Sequence, residues 1–224
     1  AGNRILKTEN SPMTQIAGLR QEYKLHTLDT GDVAADPLTQ FQKWFGEAQS
    51  AQIVEPNAMV LSTVSAGGQP SSRTVLLKAL DSRGFTFFTS YQSRKADEMS
   101  ANPAAAITFF WKELERQVNI TGSVERTSAE ESDAYFAVRP YGSQIGAHAS
   151  AQSSTIPSRS WLEDRYAELN ARWPEGSVPR PETWGGFRLI PQTVEFWQGR
   201  PSRLHDRLRY SRQGEQWILE RLSP

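Results

Sequence analysis

Cysteine is absent from this chain, and histidine is scarce. The lack of cysteine excludes disulfide bonds, thiolate nucleophiles, and zinc or iron–sulfur sites held by sulfur. Only three histidines occur, His26, His148 and His205, so a metal site built from several histidines is not expected either. We therefore expect no metal cofactor, and the composition is compatible with a reducing compartment.

An excess of one charge and a long apolar run are also missing. Lys plus Arg and Asp plus Glu number 25 each, so no large net field attracts nucleic acid or an anionic membrane. The first twenty residues contain neither a signal-peptide core nor a membrane span. We predict a cytoplasmic protein that binds no nucleic acid and no membrane, with any anion site built locally.

Several familiar ligand-binding motifs do not occur. The sequence has no Gly-x-Gly-x-x-Gly, no Walker phosphate loop, no His-Glu-x-x-His and no Gly-x-Ser-x-Gly, so the common dinucleotide, nucleotide, zinc-protease and hydrolase signatures are excluded. With 224 residues, of which 38% are hydrophobic, the chain can bury one core. We predict a flexible N-terminal lead-in over residues 1–18 and a single domain over 19–224.

Short β-rich runs separated by tight connections dominate the sequence after residue 57. Short connections of this kind favour hairpins, and nine strands suffice to close a small, mainly antiparallel barrel. The predicted strands are 58–64, 71–80, 85–90, 104–111, 117–126, 186–190, 193–199, 207–211 and 217–222.

Besides a helix that begins at Ser93, three helices are predicted to flank this sheet. The first begins at Asp36-Pro37, an N-cap followed by proline. The second begins at Ser128, which with Glu131 has the capping-box spacing, and ends before Pro140. The third covers 158–172, and the proline-rich segment that follows, 173–183, is predicted to be an extended surface connection.

The first cluster of polar residues combines Arg73 and Lys78 on a predicted strand with Ser93, Arg94 and Lys95 at a predicted helix start. Ser93 is predicted to cap this helix, whose free N–H groups and dipole favour an anion. The pattern therefore predicts a phosphate site. Taken alone, a solvated basic turn is the commoner explanation.

The second cluster is Tyr135, Arg139 and Ser143. Tyr135 and Arg139 are four residues apart on the predicted helix and so share a face, while Ser143 follows Pro140. With Lys78 they offer two charges and two hydroxyls to a second phosphate. Taken alone, a core tyrosine and a surface ion pair are the commoner explanations.

The third cluster lies near the C-terminus. If the chain turns after Trp197 and returns extended, Arg203, His205 and Arg207 lie on one face. Three cationic or titratable groups on one face rarely serve a core, and the neighbouring Trp197 offers a surface for stacking. A structural histidine and a simple ion pair are the alternatives.

In their order and spacing, these residues resemble the pyridoxamine 5′-phosphate oxidase family, also called pyridoxine 5′-phosphate oxidases. The resemblance extends from about Ile16 to Pro224. The segments that carry it are Arg20-Gln21-Glu22-Tyr23, residues 73–78, Ser93-Arg94-Lys95, Glu115-Arg116-Gln117-Val118, Arg139-Pro140, residues 143–147, Gln152-Ser153-Ser154, Trp184-Gly185-Gly186 and residues 195–207.

The resemblance implies a mainly β protein with flanking helices: an antiparallel split β-barrel that binds flavin mononucleotide (FMN) at the interface of a homodimer. It implies that Arg203 and His205 are catalytic and flank the substrate ring, and that Arg20 and Tyr23 form a mobile N-terminal cover. The implied substrate-binding residues are Arg20, Tyr23, Lys78, Tyr135, Arg139, Ser143, Arg203 and His205. The implied FMN contacts are Arg73, Thr74, Val75, Leu76, Leu77, Lys78, Phe88, Thr89, Arg94, Lys95, Gln117, Gln152, Ser153, Trp197 and Arg207.

The implied activity is the oxidation of pyridoxamine 5′-phosphate and pyridoxine 5′-phosphate by dioxygen to pyridoxal 5′-phosphate, in vitamin B6 metabolism. A hydride would pass from substrate C4′ to the flavin, and dioxygen would reoxidise the flavin and leave as hydrogen peroxide. The sequence departs from the family pattern at Phe88, at Ala137-Val138 and at Glu55, where tyrosine, His-Ser and aspartate are frequent. These departures bear on fine tuning.

Two other functions compete with this one. A non-catalytic flavin- or pyridoxal-phosphate-binding barrel is expected to have lost Arg203 or His205, and both are present. A structural or nucleic-acid-binding barrel is disfavoured by the balanced charge and by the lack of aromatic residues interleaved with a basic stripe.

Overall fold

Nine strands form one curled sheet in the computed structural model, which describes Ile16, Gly18, Leu19 and residues 21–224. The strands are β1 (Ala58–Val64), β2 (Pro70–Leu76), β3 (Ala79–Asp81), β4 (Gly84–Ser90), β5 (Ala104–Trp111), β6 (Arg116–Arg126), β7 (Trp184–Gln198), β8 (Asp206–Gln213) and β9 (Gln216–Leu222). The helices are α1 (Pro37–Ser50), α2 (Arg94–Ala101), α3 (Ala129–Ala137), α4 (Tyr141–Ala149) and α5 (Arg159–Arg172). Short 3-10 turns occupy Lys112–Leu114 and Pro201–Arg203.

Every strand pairing in the sheet is antiparallel, as predicted. The strands lie in the order β2-β1-β5-β6-β7-β4-β3, and β8 joins β7 and carries β9. Hairpins connect β1 to β2, β3 to β4, β5 to β6 and β8 to β9. The sheet therefore has the curled, half-open form of a split barrel with flanking helices, which confirms the predicted fold class.

Strand β7 is the central strand of the sheet. Strand β6 pairs along most of one of its edges, and β4 and β8 pair with different parts of the other edge. Pro191 lies between the parts that pair with β4 and with β8, and a proline has no N–H to donate to a ladder. The register with β6 shifts between Thr121 and Gly122, where a Cβ on Gly122 would overlap the carbonyl oxygen of Ile190. This irregularity lets one long strand serve both halves of the barrel.

Two strand predictions were wrong, although the predicted number of strands, nine, is correct. One predicted strand is in fact two, and two predicted strands are in fact one. The predicted strand 71–80 is two strands, because Leu77 N donates to Asn57 O while Lys78 N donates to Thr86 O. The chain therefore changes partner at Lys78. The predicted strands 186–190 and 193–199 are instead both parts of β7, since the ladder with β6 continues through Pro191.

An aromatic core fills the concave face of the sheet. Helix α1 begins at Pro37 with Asp36 as N-cap, as predicted, and inserts Phe41 against Phe85 and Phe109 at centroid distances of 5.0 and 4.8 Å. All three side chains are at most 1% exposed, and each contributes about 1.5–3 kcal/mol through burial. This packing fixes the position of α1 against β4 and β5.

The capping box predicted at the start of α3 is confirmed. Ser128 Oγ accepts from Glu131 N, and Glu131 Oε2 accepts from Ser128 N, both at 3.1 Å. The helix ends at Ala137, however, so Arg139 lies beyond it, and the prediction that Tyr135 and Arg139 share a helix face was wrong. Pro140 does not simply stop a helix, because it is the N-cap of the unpredicted helix α4.

The remaining predictions on organisation have mixed outcomes. Helix α5 matches the predicted 158–172, and residues 173–183 contain no helix or strand. The predicted lead-in over 1–18 lies largely outside the described residues. Within the described part of the chain, no helix is long and apolar enough to cross a bilayer.

Candidate functional site

A cavity of about 810 Å³ opens between strands β2 and β4, the start of α2 and helices α3 and α4. It collects most residues of the first two predicted clusters from six stretches of chain. The predicted site residues that line it are Arg73, Thr74, Val75, Leu76, Lys78, Phe88, Thr89, Arg94, Lys95, Tyr135, Arg139, Ser143, Gln152 and Ser153.

One part of this cavity, which we call the cationic cluster, contains Arg73, Arg94 and Lys95. Lys95 is only 9% exposed, and its Nζ donates to Thr89 Oγ1 at 3.2 Å and to Gln152 Oε1 at 3.3 Å. Burial, and then the charge of Arg73, lower the pKa of Lys95. Two cations at the start of a helix, with Arg73 of β2 near them, suit a doubly charged phosphate.

Ser93 is the N-cap of α2, but not through its side chain. Its hydroxyl donates to Ser90 O at 2.7 Å, and no side-chain capping bond forms. The predicted N-cap position is therefore confirmed, but the Ser93 side chain makes no capping hydrogen bond. Instead, Arg94 N donates to Ser153 Oγ at 3.2 Å, which ties the loop after α4 to the start of α2.

A second part of the cavity, which we call the stacked cluster, contains Phe88, Tyr135, Arg139 and Trp184. The Phe88 ring stacks on Tyr135 at 4.1 Å and on Trp184 at 5.4 Å, with interplanar angles of 21° and 11°. The guanidinium of Arg139 lies 4.5 Å from the centroid of the Trp184 ring. Stacking of this kind fixes the plane of an arginine.

Arg139 has hydrogen-bonding capacity that the described residues do not use. Its Nη1 is buried and has no partner among them, and burial lowers the pKa of Arg139. A buried, unsatisfied donor is costly unless a ligand or solvent meets it. Tyr135, Ser143 and Lys78 line the same cavity, so the donors fit an anionic group such as phosphate.

In a single chain, the third predicted cluster lies outside this cavity. Gln117, Trp197, Arg203, His205 and Arg207 are absent from the lining of the cavity. The group that we call the turn cluster is formed by Tyr23, Trp197 and His205. Their ring centroids lie 4.6 Å apart for Trp197 and His205, and 5.7 and 5.9 Å from Tyr23 to each of these.

The predicted extended face of the third cluster was wrong. Arg203 lies in a 3-10 turn with φ of 62°, next to Ser202 with φ of 56°, and β8 begins only at Asp206. The turn, rather than strand alternation, brings His205 onto Trp197. Arg207 is on β8 and forms a two-point ion pair with Glu195, at 2.8 and 3.1 Å.

His205 has a defined protonation state in this turn. Its Nδ1 accepts a hydrogen bond from Arg200 N at 3.1 Å, so the neutral ring carries its proton on Nε2. Burial, and then the charge of Arg203, lower the pKa of His205. The imidazole therefore offers an Nε2–H donor at neutral pH.

Two predicted residues are placed differently from the rest. Leu77 is 8% exposed and belongs to the hydrophobic core, although the neighbouring Leu76 and Lys78 line the cavity. Arg20 lies outside the described residues, so only Tyr23 of the predicted cover is placed.

Sequence reasoning missed Glu98 and Trp184 as members of the site. Glu98 contacts Arg73 and Arg94, and its position four residues after Arg94 on a helix was the available signal. Trp184 belongs to a recognised segment, but its position under Arg139 depends on the β4–β7 pairing, which the sequence alone does not indicate. No cluster of His, Asp and Glu suited to a metal occurs among the residues the structure describes.

Comparison with known proteins identifies the family to which the chain belongs. Residues 45–173 match the family model of pyridoxamine 5′-phosphate oxidase, and residues 184–224 match that of the pyridoxine 5′-phosphate oxidase C-terminal dimerisation region. A pyridoxine/pyridoxamine 5′-phosphate oxidase of Cupriavidus taiwanensis is 57% identical over 95% of this chain and 100% of the relative. One from Bordetella avium is 59% identical over 93% and 99%.

Solved structures agree with this placement. PhzG from Burkholderia lata 383, solved with tetrahydrophenazine-1-carboxylic acid, has a TM-score of 0.86 and 32% identity, covering 91% of this chain and 100% of that chain. A pyridoxamine 5′-phosphate oxidase-related, FMN-binding protein from Nostoc punctiforme has a TM-score of 0.69 at 18% identity, covering 86% and 100%, and supports the fold. From the family models and the near-complete coverage of its curated relatives, the chain belongs to the pyridoxamine 5′-phosphate oxidase family of vitamin B6 metabolism and is an enzyme of that family.

Proposed function

We propose that this enzyme oxidises pyridoxamine 5′-phosphate and pyridoxine 5′-phosphate to pyridoxal 5′-phosphate, with FMN as cofactor and dioxygen as acceptor. The observation that carries the proposal is that one cavity contains two separate sets of anion-binding donors, the cationic cluster and the group around Arg139. A phosphorylated cofactor and a phosphorylated substrate need two such sets.

The cationic cluster suits the FMN phosphate. Arg73, Arg94 and Lys95 supply charge, and Ser153 lies beside the start of α2. Residues 74–76 line the same cavity, and the backbone polar groups of such a strand are suited to the edge of a flavin ring. When bound, FMN supplies the redox chemistry, taking two electrons from substrate C4′ as a hydride and passing them to dioxygen, which leaves as hydrogen peroxide.

The group around Arg139 suits the substrate phosphate. Arg139 and Lys78 offer charge, and Tyr135 and Ser143 offer hydroxyls. Because Trp184 fixes the guanidinium plane, little ordering is left for the substrate to impose. This fixed phosphate site would orient the ring for reaction.

The turn cluster is proposed to complete the cavity of the other subunit. Four predicted site residues lie in residues 184–224, the part that matches a dimerisation region. They are Trp197, Arg203, His205 and Arg207, and none of them lines the cavity of its own chain. In a homodimer with two-fold symmetry, each turn cluster would serve the partner's cavity. Arg203 and His205 would then bind the substrate ring, with Tyr23 covering it, and His205 would donate through Nε2.

Anaerobic spectroscopy tests the proposal directly. The purified protein is expected to carry a flavin absorbance that bleaches when pyridoxamine 5′-phosphate is added without oxygen, and recovers with hydrogen peroxide release when air is admitted. Pyridoxamine without its phosphate is the matched control and should bleach the flavin far more slowly. A bound flavin that never bleaches would instead support a non-catalytic binding protein.

The relative PhzG, whose structure contains tetrahydrophenazine-1-carboxylic acid, offers a further control. That ligand has no phosphate, so the donors around Arg139 would be left incompletely paired with it. Faster anaerobic bleaching by tetrahydrophenazine-1-carboxylic acid than by pyridoxamine 5′-phosphate would overturn the substrate assignment while leaving the flavin assignment intact.

A further inference from the structure

A buried carboxylate lies against the cationic cluster. Glu98, on α2, has a side chain only 6% exposed. Its Oε2 accepts from Thr63 Oγ1 at 2.5 Å, from Ser71 Oγ at 2.6 Å and from Arg73 Nη2 at 3.2 Å, and its Oε1 accepts from Arg94 Nε at 2.8 Å. Both oxygens are therefore committed, and two of the four donors belong to the cationic cluster.

The two arginines are held in different ways. Arg73 also donates through Nη1 to Leu61 O at 3.2 Å and to Thr63 Oγ1 at 2.6 Å, so its guanidinium is fixed in the wall of the cavity. Arg94 contacts Glu98 only through Nε. Its terminal amino groups make no hydrogen bond to the described residues, so the contact orients Arg94 without using the donors best suited to a phosphate.

Electrostatics give Glu98 two opposing effects on an anion in this cavity. Its negative charge repels an anion directly, but it also offsets the mutual repulsion of three neighbouring cations. The hydrogen bonds from Ser71 and Thr63, followed by Arg94 and Arg73, lower the pKa of Glu98 to about 2, so the carboxylate is ionised at neutral pH. The charge of Glu98 raises the pKa of Lys95, against the lowering by Arg73.

We infer that Glu98 is a positioning residue for the cofactor phosphate, holding Arg73 and Arg94 in binding geometry and offsetting the mutual repulsion between them and Lys95. This inference rests on the proposed assignment of the cationic cluster to FMN. Glu98 touches neither cofactor nor substrate in this scheme, and acts only through the three cations.

The test compares FMN with riboflavin, which shares the flavin ring and lacks the phosphate. Affinities of flavin-free protein for both are measured by quenching of flavin fluorescence. Glu98→Gln is expected to weaken FMN binding about tenfold, the equivalent of one lost charge-assisted hydrogen bond, while riboflavin affinity stays unchanged. Asp97→Asn, which removes one charge from an exposed position on the same helix, should change neither affinity.

Three results would overturn the inference. FMN binding by Glu98→Gln that is as tight as or tighter than wild type would mean that direct repulsion dominates. An equal loss for FMN and riboflavin would mean that Glu98 only supports the fold. If wild type itself shows no preference for FMN over riboflavin, the phosphate assignment fails as well, which separates failure of the proposed function from failure of the Glu98 role.

A second variant keeps the test decisive if Glu98→Gln does not fold. Glu98→Asp retains the charge but withdraws the carboxylate from its partners. A positioning role predicts a selective loss of FMN affinity, smaller than tenfold, with riboflavin unaffected. Wild-type FMN affinity in Glu98→Asp would show that the charge alone matters, and would refute the positioning role.

Discussion

At the scale of single residues, Arg139 has the clearest unused binding capacity in the described cavity. We predict that Arg139→Ala weakens binding of pyridoxamine 5′-phosphate by about 1.5–3 kcal/mol, which is roughly 10- to 100-fold, because a charged donor to phosphate is lost. Flavin content should stay near wild type, because FMN is assigned to the cationic cluster. Substrate titration and flavin absorbance of the purified variant measure the two effects.

Arg172→Ala is a suitable control for that variant. The guanidinium of Arg172 lies 5.0 Å from the centroid of the Trp173 ring, so this substitution also removes an arginine from an indole ring. Arg172 is on α5 and does not line the cavity. Substrate affinity should be unchanged. Loss of flavin from Arg139→Ala, with flavin retained in Arg172→Ala, would contradict the division of the cavity into two phosphate sites.

His205 gives a prediction about pH. Its folded pKa lies below the ordinary value of 6.5, because burial, and then the charge of Arg203, disfavour the imidazolium and outweigh the opposing charge of Asp206. The sign follows directly: the ring should be neutral at pH 7 and should gain its proton only as the pH falls below 6.5. Titration of the His Cε1–H resonances measures this, with His205→Gln used for assignment and urea-unfolded protein as the reference. A midpoint above 6.5 in the folded protein would contradict the predicted effect of burial and of the Arg203 charge on this ring.

Residue types and spacing, together with the family resemblance, predicted most members of the cavity but not their neighbours. Lys78, Arg94 and Tyr135 were found because cations and hydroxyls cluster along the chain. Glu98 and Trp184 were missed because a buried acid and an indole have common structural explanations. Only the fold shows that both lie against arginines of the cavity.

At the scale of elements, the turn between β7 and β8 controls where Tyr23 lies. A Cβ on Gly199 would lie 2.7 Å from Tyr23 Cγ and 3.0 Å from Glu115 Cβ. Gly199→Ala should therefore displace Tyr23 from His205 and raise the KM for substrate about fivefold, roughly the 1 kcal/mol of one aromatic contact. Steady-state kinetics and thermal unfolding of the variant check this.

Gly67→Ala is the matched control for that change. Gly67 lies in the β1–β2 turn, where a Cβ would meet only Ser65 Oγ, at 3.9 Å. Its KM should equal that of wild type. If Gly199→Ala leaves the KM unchanged, or if its melting temperature falls in step with its activity, Tyr23 is not the cover that we propose.

Strand pattern predicted most of the sheet but not its irregularities. Short β-rich runs bounded by tight connections identified β1 and β5, and the capping-box spacing identified α3. The break at Lys78 depends on a change of partner strand from β1 to β4, and the continuity of β7 through Pro191 depends on its pairing with β6. Both are long-range pairings that no local pattern contains.

At the scale of the whole molecule, the predicted site residues divide into two groups that one chain does not bring together. Sequence resemblance listed Arg139 and His205 side by side as substrate residues. In the fold, Arg139 lines the cavity and His205 lies in the turn cluster outside it. The division could not be predicted from sequence, because a sequence does not distinguish contacts within a subunit from contacts between subunits.

Mixed dimers test whether the two groups meet across subunits. At a substrate concentration below the wild-type KM, Arg139→Ala is expected to lose most activity through weaker substrate binding and His205→Ala through slower turnover, while both remain folded. If each cavity is completed by the partner's turn cluster, a mixed dimer has one site with both defects and one intact site. Refolding the two variants together at equal concentration should then restore about one quarter of wild-type activity, because about half of the dimers are mixed and each has one intact site.

The matched control for the mixed dimers combines two defects that belong to the same group. Arg139→Ala mixed with Lys78→Ala should restore no activity, because both side chains line the cavity of their own chain and every site in the mixed dimer is defective. Activity in that mixture would show that refolding alone restores turnover. Mass spectrometry confirms that mixed dimers have formed. If the Arg139→Ala and His205→Ala mixture then recovers no activity, each subunit must form its site from its own residues alone. The turn cluster would then need to move onto its own cavity, a rearrangement that the antiparallel β7–β8 pairing opposes.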